Sequence, residues 1–166
     1  MSSALRPDPD REPALRLSEF LPYRLNVLAE TVSEGLARSY GTRFGISVPE
    51  WRVLATLGEF RSMTAKAVGA HSRMGKVKVS RAVAALEGRG LVRRRRNEAD
   101  LREAFLVLTP EGERLYRKIV PLALAHVERL TAGLSAADRA HLDRLIDLVM
   151  RRSRELGGAL PENGNG

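Results

Sequence analysis

The hydrophobic period of this chain changes once and then changes back, and that switch is what most limits its fold. Up to Gly88 the apolar residues recur at spacings of three and four, the period of a helix. From Leu91 to Leu108 they follow a strand–turn–strand pattern, and after Pro110 the helical spacing returns. The expected fold is therefore mainly α with a small β-hairpin, an α+β chain.

In the first helix Leu21, Leu25, Leu28, Val32 and Leu36 lie on one stripe that Tyr40 closes, with Pro22 in the opening turn and Gly41 and Gly45 as the break. A second helix runs from near Pro49 through Trp51, Val53, Leu54 and Leu57 to Gly58. A third spans Thr64 to His71 with Thr64 as its N-cap, and a fourth spans Lys76 to Arg89, bounded by Gly75 and by Gly88 and Gly90. Leu91 to Arg96 and Ala104 to Leu108 are the two strands, joined by a turn over Asn97 to Asp100. Thr109 and Pro110 open a fifth helix carrying Leu115, Ile119, Leu122, His126 and Leu130, with a kink expected at Pro121. The sixth begins at Ser135, where Asp138 replaces the usual Glu of a capping box, and bears Leu142, Leu145, Ile146 and Val149. No internal repeat is visible.

This element order is that of a winged helix-turn-helix lobe between amphipathic outer helices. The predicted organisation is a flexible arm at 1–17, a dimerisation helix at 18–41, the DNA-binding lobe at 42–109, C-terminal dimerisation helices at 110–156 and a flexible tail at 157–166. The outer stripes must be buried somewhere, either by a second copy of the chain or by packing of the first helix on the last two; the second copy is the more economical.

Charge supports the lobe assignment. The net charge is +8, and residues 42–109 hold fourteen basic and six acidic side chains, while the flanking segments are close to neutral. A positive field confined to one segment points to a polyanion, nucleic acid before an anionic membrane. The absence of cysteine excludes disulfides, thiolate metal sites and cysteine nucleophiles. With no apolar run near the ~18 residues needed to span a bilayer, and no signal-peptide core at the N-terminus, a cytoplasmic, membrane-free protein is expected.

On a helical wheel Val79, Val83 and Leu86 of the fourth helix face a core. The opposite side carries Val77, Arg81, Ala84 and Gly88, with Lys78 and Ala85 beside them. Small residues let a helix sit deep in a major groove, where its first turns meet base edges. Arg81 suits a bidentate contact with guanine and Val77 a thymine methyl, while Lys76, Lys78 and Ser80 suit phosphates. Thr64 completes this part of the candidate surface. In the run Arg93 to Arg96 alternate side chains share a face, and Arg94 and Arg96 are assigned to the duplex. At the turn, Asp100 can hold Arg102 extended for entry into a narrow minor groove.

The segments Val79-Ser80-Arg81-Ala82-Val83, Leu86-Glu87, Gly90-Leu91-Val92, Asp100-Leu101-Arg102 and Leu108-Thr109-Pro110-Glu111-Gly112 resemble the MarR family of bacterial transcription regulators. The likeness runs in element order from about Leu21 to Arg152. It implies a homodimer whose first, fifth and sixth helices interlock, each subunit presenting one winged helix-turn-helix to half of a palindromic operator. It also implies repression by blocking promoter access, with release of DNA in many members by a small aromatic or phenolic ligand. Lys78, Ser80 and Arg81 fall on the family's recognition helix and Arg102 on its wing tip. Many relatives carry Arg where this chain has Leu101, so one positive charge near the wing is missing.

The resemblance places an effector pocket between the dimer helices and the DNA-binding lobe. Tyr23, Asn26, Trp51, Arg52 and His71 are the candidate lining, and an arginine there would suit a carboxylate ligand. A ligand-free repressor is the alternative. Enzymatic chemistry has little support: His71, His126 and His141 are far apart and lie in no nucleophile or metal spacing, and neither cofactor nor metal is expected. An architectural or RNA-binding winged-helix protein would share the charge and the hairpin without reading bases.

Overall fold

A computed structural model of the chain describes residues 14–96 and 103–158; the expected turn at Asn97 to Asp100, most of the N-terminal arm and residues 159–166 lie outside them. Six helices and three strands follow in the order α1 (Leu21–Phe44), α2 (Val48–Phe60), β1 (Ser62–Thr64), α3 (Ala65–Ser72), α4 (Lys76–Gly88), β2 (Val92–Arg96), β3 (Ala104–Leu108), α5 (Pro110–Leu130) and α6 (Ala136–Gly158). The mainly helical α+β expectation and the winged helix-turn-helix order hold.

Local signals account for most boundaries. Ser47 accepts the Glu50 N–H while Glu50 accepts the Ser47 N–H, a complete capping box that starts α2. Thr64 Oγ1 accepts from Ala67 N at 3.2 Å and caps α3. Thr109 has two tasks: its hydroxyl donates to the Gly90 carbonyl at 2.6 Å and accepts from Gly112 N at 3.1 Å, tying the hairpin to the start of α5. Ser135 and Asp138 exchange bonds at the start of α6, so Asp replaces Glu in that box without loss of reciprocity.

Two details differ from the sequence reading. α1 passes through Gly41 and stops at Gly45, which takes the left-handed conformation at φ 63° and donates its N–H to Gly41 O. Gly41 keeps a helical backbone because nothing there demands a positive φ. The third strand, β1, was not expected. It pairs antiparallel with β3, giving the sheet order β1-β3-β2, with Met63 opposite Leu106 and Leu106 opposite Arg94.

The structure divides into two compact units, residues 1–119 and 120–166. In the first, α2, α3 and α4 pack on one another and on the sheet around Val53, Leu54, Leu57, Val68, Val83, Leu86 and Leu106, each at most 1% exposed. Two glycines permit its closest approaches. A Cβ on Gly112 would lie 2.0 Å from the Leu91 carbonyl, and one on Gly58 would lie 2.5 Å from the Tyr116 ring. In the second unit α6 folds back beside the end of α5, where Arg139 pairs with Glu128 at 3.0 Å and donates to the Thr131 carbonyl. Among the described residues no helix is long and apolar enough to cross a membrane.

Candidate nucleic-acid interface

Helix α4 is split lengthwise by its sequence. Val79, Ala82, Val83 and Leu86 are buried, which fixes the rotation of the helix about its axis. Lys76, Val77, Lys78, Ser80, Arg81, Ala84, Ala85 and Gly88 are then exposed. Val77, at 64% exposure, is a large aliphatic side chain held in water with no packing role. None of Lys76, Lys78 and Arg81 pairs with a carboxylate among the described residues. The result is a convex ridge, basic at its N-terminal half and small at its C-terminal half.

Concave surfaces flank this ridge. On one side a groove of about 720 Å³ runs between the start of α2 and α4, lined by Ser47, Pro49, Lys76, Val77, Lys78 and Arg81. On the other side a groove of about 660 Å³ is lined by Thr64 and Lys66 of α3 and its cap, Lys76 and Ser80 of α4, and Arg94 and Glu103 of the hairpin. Thr64 thus reaches the same surface as the α4 residues, although its hydroxyl is engaged in the α3 cap.

The arginine run is sorted by the sheet. In register, Arg94 and Arg96 share a face with Val92, Ala104 and Leu106, and Arg93 and Arg95 share the other with Phe105 and Val107. Arg94 gives both Nε and Nη2 to the Glu87 carboxylate of α4, at 3.0 and 3.3 Å. Arg95 lies over the Phe105 ring at 5.8 Å, with Nη2 3.5 Å from Ser62 Oγ. Arg93 and Arg96 are exposed. Four adjacent cations are tolerated because one is neutralised and another is drawn to an aromatic face. Asp100 and Arg102 lie outside the described residues.

The residues taken for an effector pocket do not assemble as a set. Tyr23 and Asn26 are exposed near the start of α1, roughly 20–25 Å along the helix from Tyr40. His71 is exposed and pairs edge to face with Phe60, at 4.5 Å between ring centres. Trp51 and Arg52 do belong to one cluster. Trp51 sits between Tyr40, at 5.7 Å, and Tyr116, against which it stacks at 6.1 Å. Arg52 donates to Ser33 Oγ at 3.3 Å. Tyr40 is fully buried, and its hydroxyl is the single buried side-chain polar atom without a hydrogen-bond partner among the described residues. Burial pushes the Tyr40 phenol up to about 12, with the Arg52 charge working in the opposite direction. Sequence reading missed this set because Tyr40 closes an ordinary helix stripe and Ser33 and Tyr116 stand in no motif; only an orphaned hydroxyl marks the place, and that is a tertiary property. Among the described residues no group of three His, Asp or Glu side chains is placed to hold a metal ion.

Comparison with known proteins adds three kinds of match. A family model described as "MarR family" covers residues 44–103, which includes α2 to β2. The chain is 31% identical over 109 residues to an uncharacterised HTH-type transcriptional regulator, YwoH of Bacillus subtilis, covering 66% of this chain and 79% of that protein. The MarR family transcriptional regulator SPO1453 of Silicibacter pomeroyi is 30% identical, with a TM-score of 0.67 over 82% of this chain and 99% of its own. BpsR of Bordetella bronchiseptica, whose DNA binding is regulated by 6-hydroxynicotinic acid, shares the fold at a TM-score of 0.72 and 20% identity, over 83% of this chain and 98% of its own.

Proposed function

The chain belongs to the MarR family of transcriptional regulators, and from that premise we propose that it is a cytoplasmic, homodimeric repressor that a small hydroxyaromatic acid releases from a palindromic operator. The observation that carries the DNA reading is the split of α4. Its buried face fixes the helix, and its exposed face is small, basic and unpaired over Lys76, Val77, Lys78, Ser80 and Arg81. That ridge suits a major groove, with Arg81 on a guanine edge, Val77 on a thymine methyl and the lysines and Ser80 on phosphates. Thr64, Arg96 and, at the wing tip, Asp100 with Arg102 complete the contact surface in this reading, and Arg94 holds the wing to α4 through Glu87.

Dimerisation is supported by the apolar side chains left in water: Leu21, Leu25 and Leu28 on α1, and Leu142, Leu145, Ile146 and Val149 on α6. The effector is supported by the Tyr40–Trp51–Tyr116 stack beside Arg52. A guanidinium suits a carboxylate, an unpartnered phenol suits a ring substituent, and the acid that regulates BpsR has both features. Trp51 and Arg52 remain in this site, and Tyr40 and Ser33 join them.

The test selects duplexes from a random-sequence pool with the full chain, then measures binding to the enriched and unselected duplexes at two salt concentrations, with and without 6-hydroxynicotinic acid. An enriched inverted repeat, affinity that falls with salt, and release by the acid are expected. Equal affinity for both duplexes would replace the regulator with an architectural DNA binder. Binding to neither would overturn the reading.

A further inference from the structure

The last turn of α4 is tied to two other elements, and one tie reaches the end of α1. Arg89 is the C-cap of α4, and Gly90, at φ 66°, turns the chain away from it. The Arg89 guanidinium crosses to the far end of α1, where Nη1 donates to the Gly45 carbonyl and Nη2 to the Phe44 carbonyl, both at 2.8 Å. Phe44 is the last residue of α1 and Gly45 its left-handed cap. Carbonyls at a helix C-terminus lack intrahelical donors and carry the negative end of the helix dipole, so a forked cation suits them twice over. On the wing side, Glu87 holds Arg94. The two ties leave α4 two residues apart.

We infer that Arg89 is a positioning residue for DNA reading: it clamps the end of α1 to the end of α4 and so sets the angle at which Lys78 and Arg81 are presented. The inference rests on the reading of α4 as the helix that enters DNA. It assigns Arg89 no phosphate contact, although an exposed arginine in a basic lobe invites one. Arg89 lies about 12 Å along the helix axis from Arg81, and its two Nη atoms are already spent on carbonyls. A tilt of α4 about its C-terminal end is therefore amplified at the reading end. There the N-cap, Gly75, supplies no side-chain hydrogen bond, so among the described residues apolar packing and backbone bonds resist the tilt.

The charge and the clamp are separable because lysine keeps the first and loses the second: an ammonium is a point donor and cannot span two carbonyls as a planar fork does. The experiment compares the wild-type chain with Arg89→Lys and Arg89→Ala. It uses duplexes enriched by the wild type from a random-sequence pool, and the unselected pool as reference. Both variants are expected to lose discrimination between the two, by roughly threefold to thirtyfold. The salt dependence of Arg89→Lys on unselected duplex should stay at the wild-type slope. Backbone hydrogen exchange should quicken in both variants at Gly41 to Ile46 and in the last turn of α4. Wild-type discrimination in Arg89→Lys, with a slope about one unit shallower in Arg89→Ala, would make Arg89 a phosphate contact and overturn the clamp. A lower melting temperature with unchanged discrimination would make the bond merely structural and overturn it too. Failure of the wild type to enrich any duplex would overturn the DNA reading and this inference with it.

Discussion

Two stretches of the chain meet water with opposite chemistry. Among the described residues every buried apolar one lies between Tyr40 and Ile119, so that stretch completes its own core, and what α4 leaves exposed is basic or small apart from Val77. Helix α6 buries none of its residues, and what it exposes includes Leu142, Leu145, Ile146, Val149 and Met150. A closed core with a cationic ridge has room for a polyanion and gains nothing from self-association. A helix with an apolar stripe in water is unfinished, and in the proposed dimer a second copy with the same stripe finishes it. On the proposed function, one chain separates reading from assembly by which kind of surface each stretch leaves uncovered.

The comparison breaks first at α6. Replacing Leu145 and Ile146 together by Asp is expected to weaken self-association by ~3–6 kcal/mol, the remaining burial of two half-exposed aliphatic side chains on each of two protomers. Sedimentation should show monomers, and a dimer that persists would mean that α6 is not an interface. Leu54→Ala attacks the other side. Leu54 has no exposure at all, and its truncation should cost about 2–5 kcal/mol in denaturant melts, because the surrounding helices cannot close the cavity. The ridge is tested by Arg81→Ala, expected to lose ~1–3 kcal/mol on enriched duplex and much less on unselected duplex, with the dimer intact. Equal losses on both would reduce α4 to an electrostatic surface.

The smallest effect sharpens the boundary of the closed core. Tyr40→Phe removes a buried hydroxyl that bonds to nothing described, so the free protein should gain up to about 1 kcal/mol. The phenol holds its proton to about pH 12 when folded, whereas in an unfolded chain it releases it near 10. Its contribution to stability is complete below pH 10 and is lost as pH rises through 12. Melting curves of Tyr40→Phe should therefore fall less steeply across that window. The same variant should respond more weakly to 6-hydroxynicotinic acid, and an unchanged response would remove Tyr40 from the effector site.

Much of this was legible beforehand because it rests on local rules. Thr64, Thr109 and Ser135 with Asp138 are caps that read the same in sequence and in space, whereas the Ser47–Glu50 box emerged only with the structure. The rotation of α4 followed from the spacing of Val79, Val83 and Leu86. β1 was not legible: three residues, Ser62 to Thr64, are too few to show alternation, and their strand character comes only from pairing with β3. The helical spacing, the charge confined to residues 42–109 and the switch of period at Gly90 are properties of neighbours in sequence, and the sequence alone determined them. Side-chain partners on different elements, from seven to forty-five residues apart, were decided by the tertiary structure. Arg89 found the end of α1, Arg94 found Glu87, and Arg52 found Ser33, while the Tyr40 hydroxyl found no partner among the described residues. A long polar side chain has several donors and many reachable acceptors, so its partner is chosen by the packing of apolar faces that carries the acceptors to it.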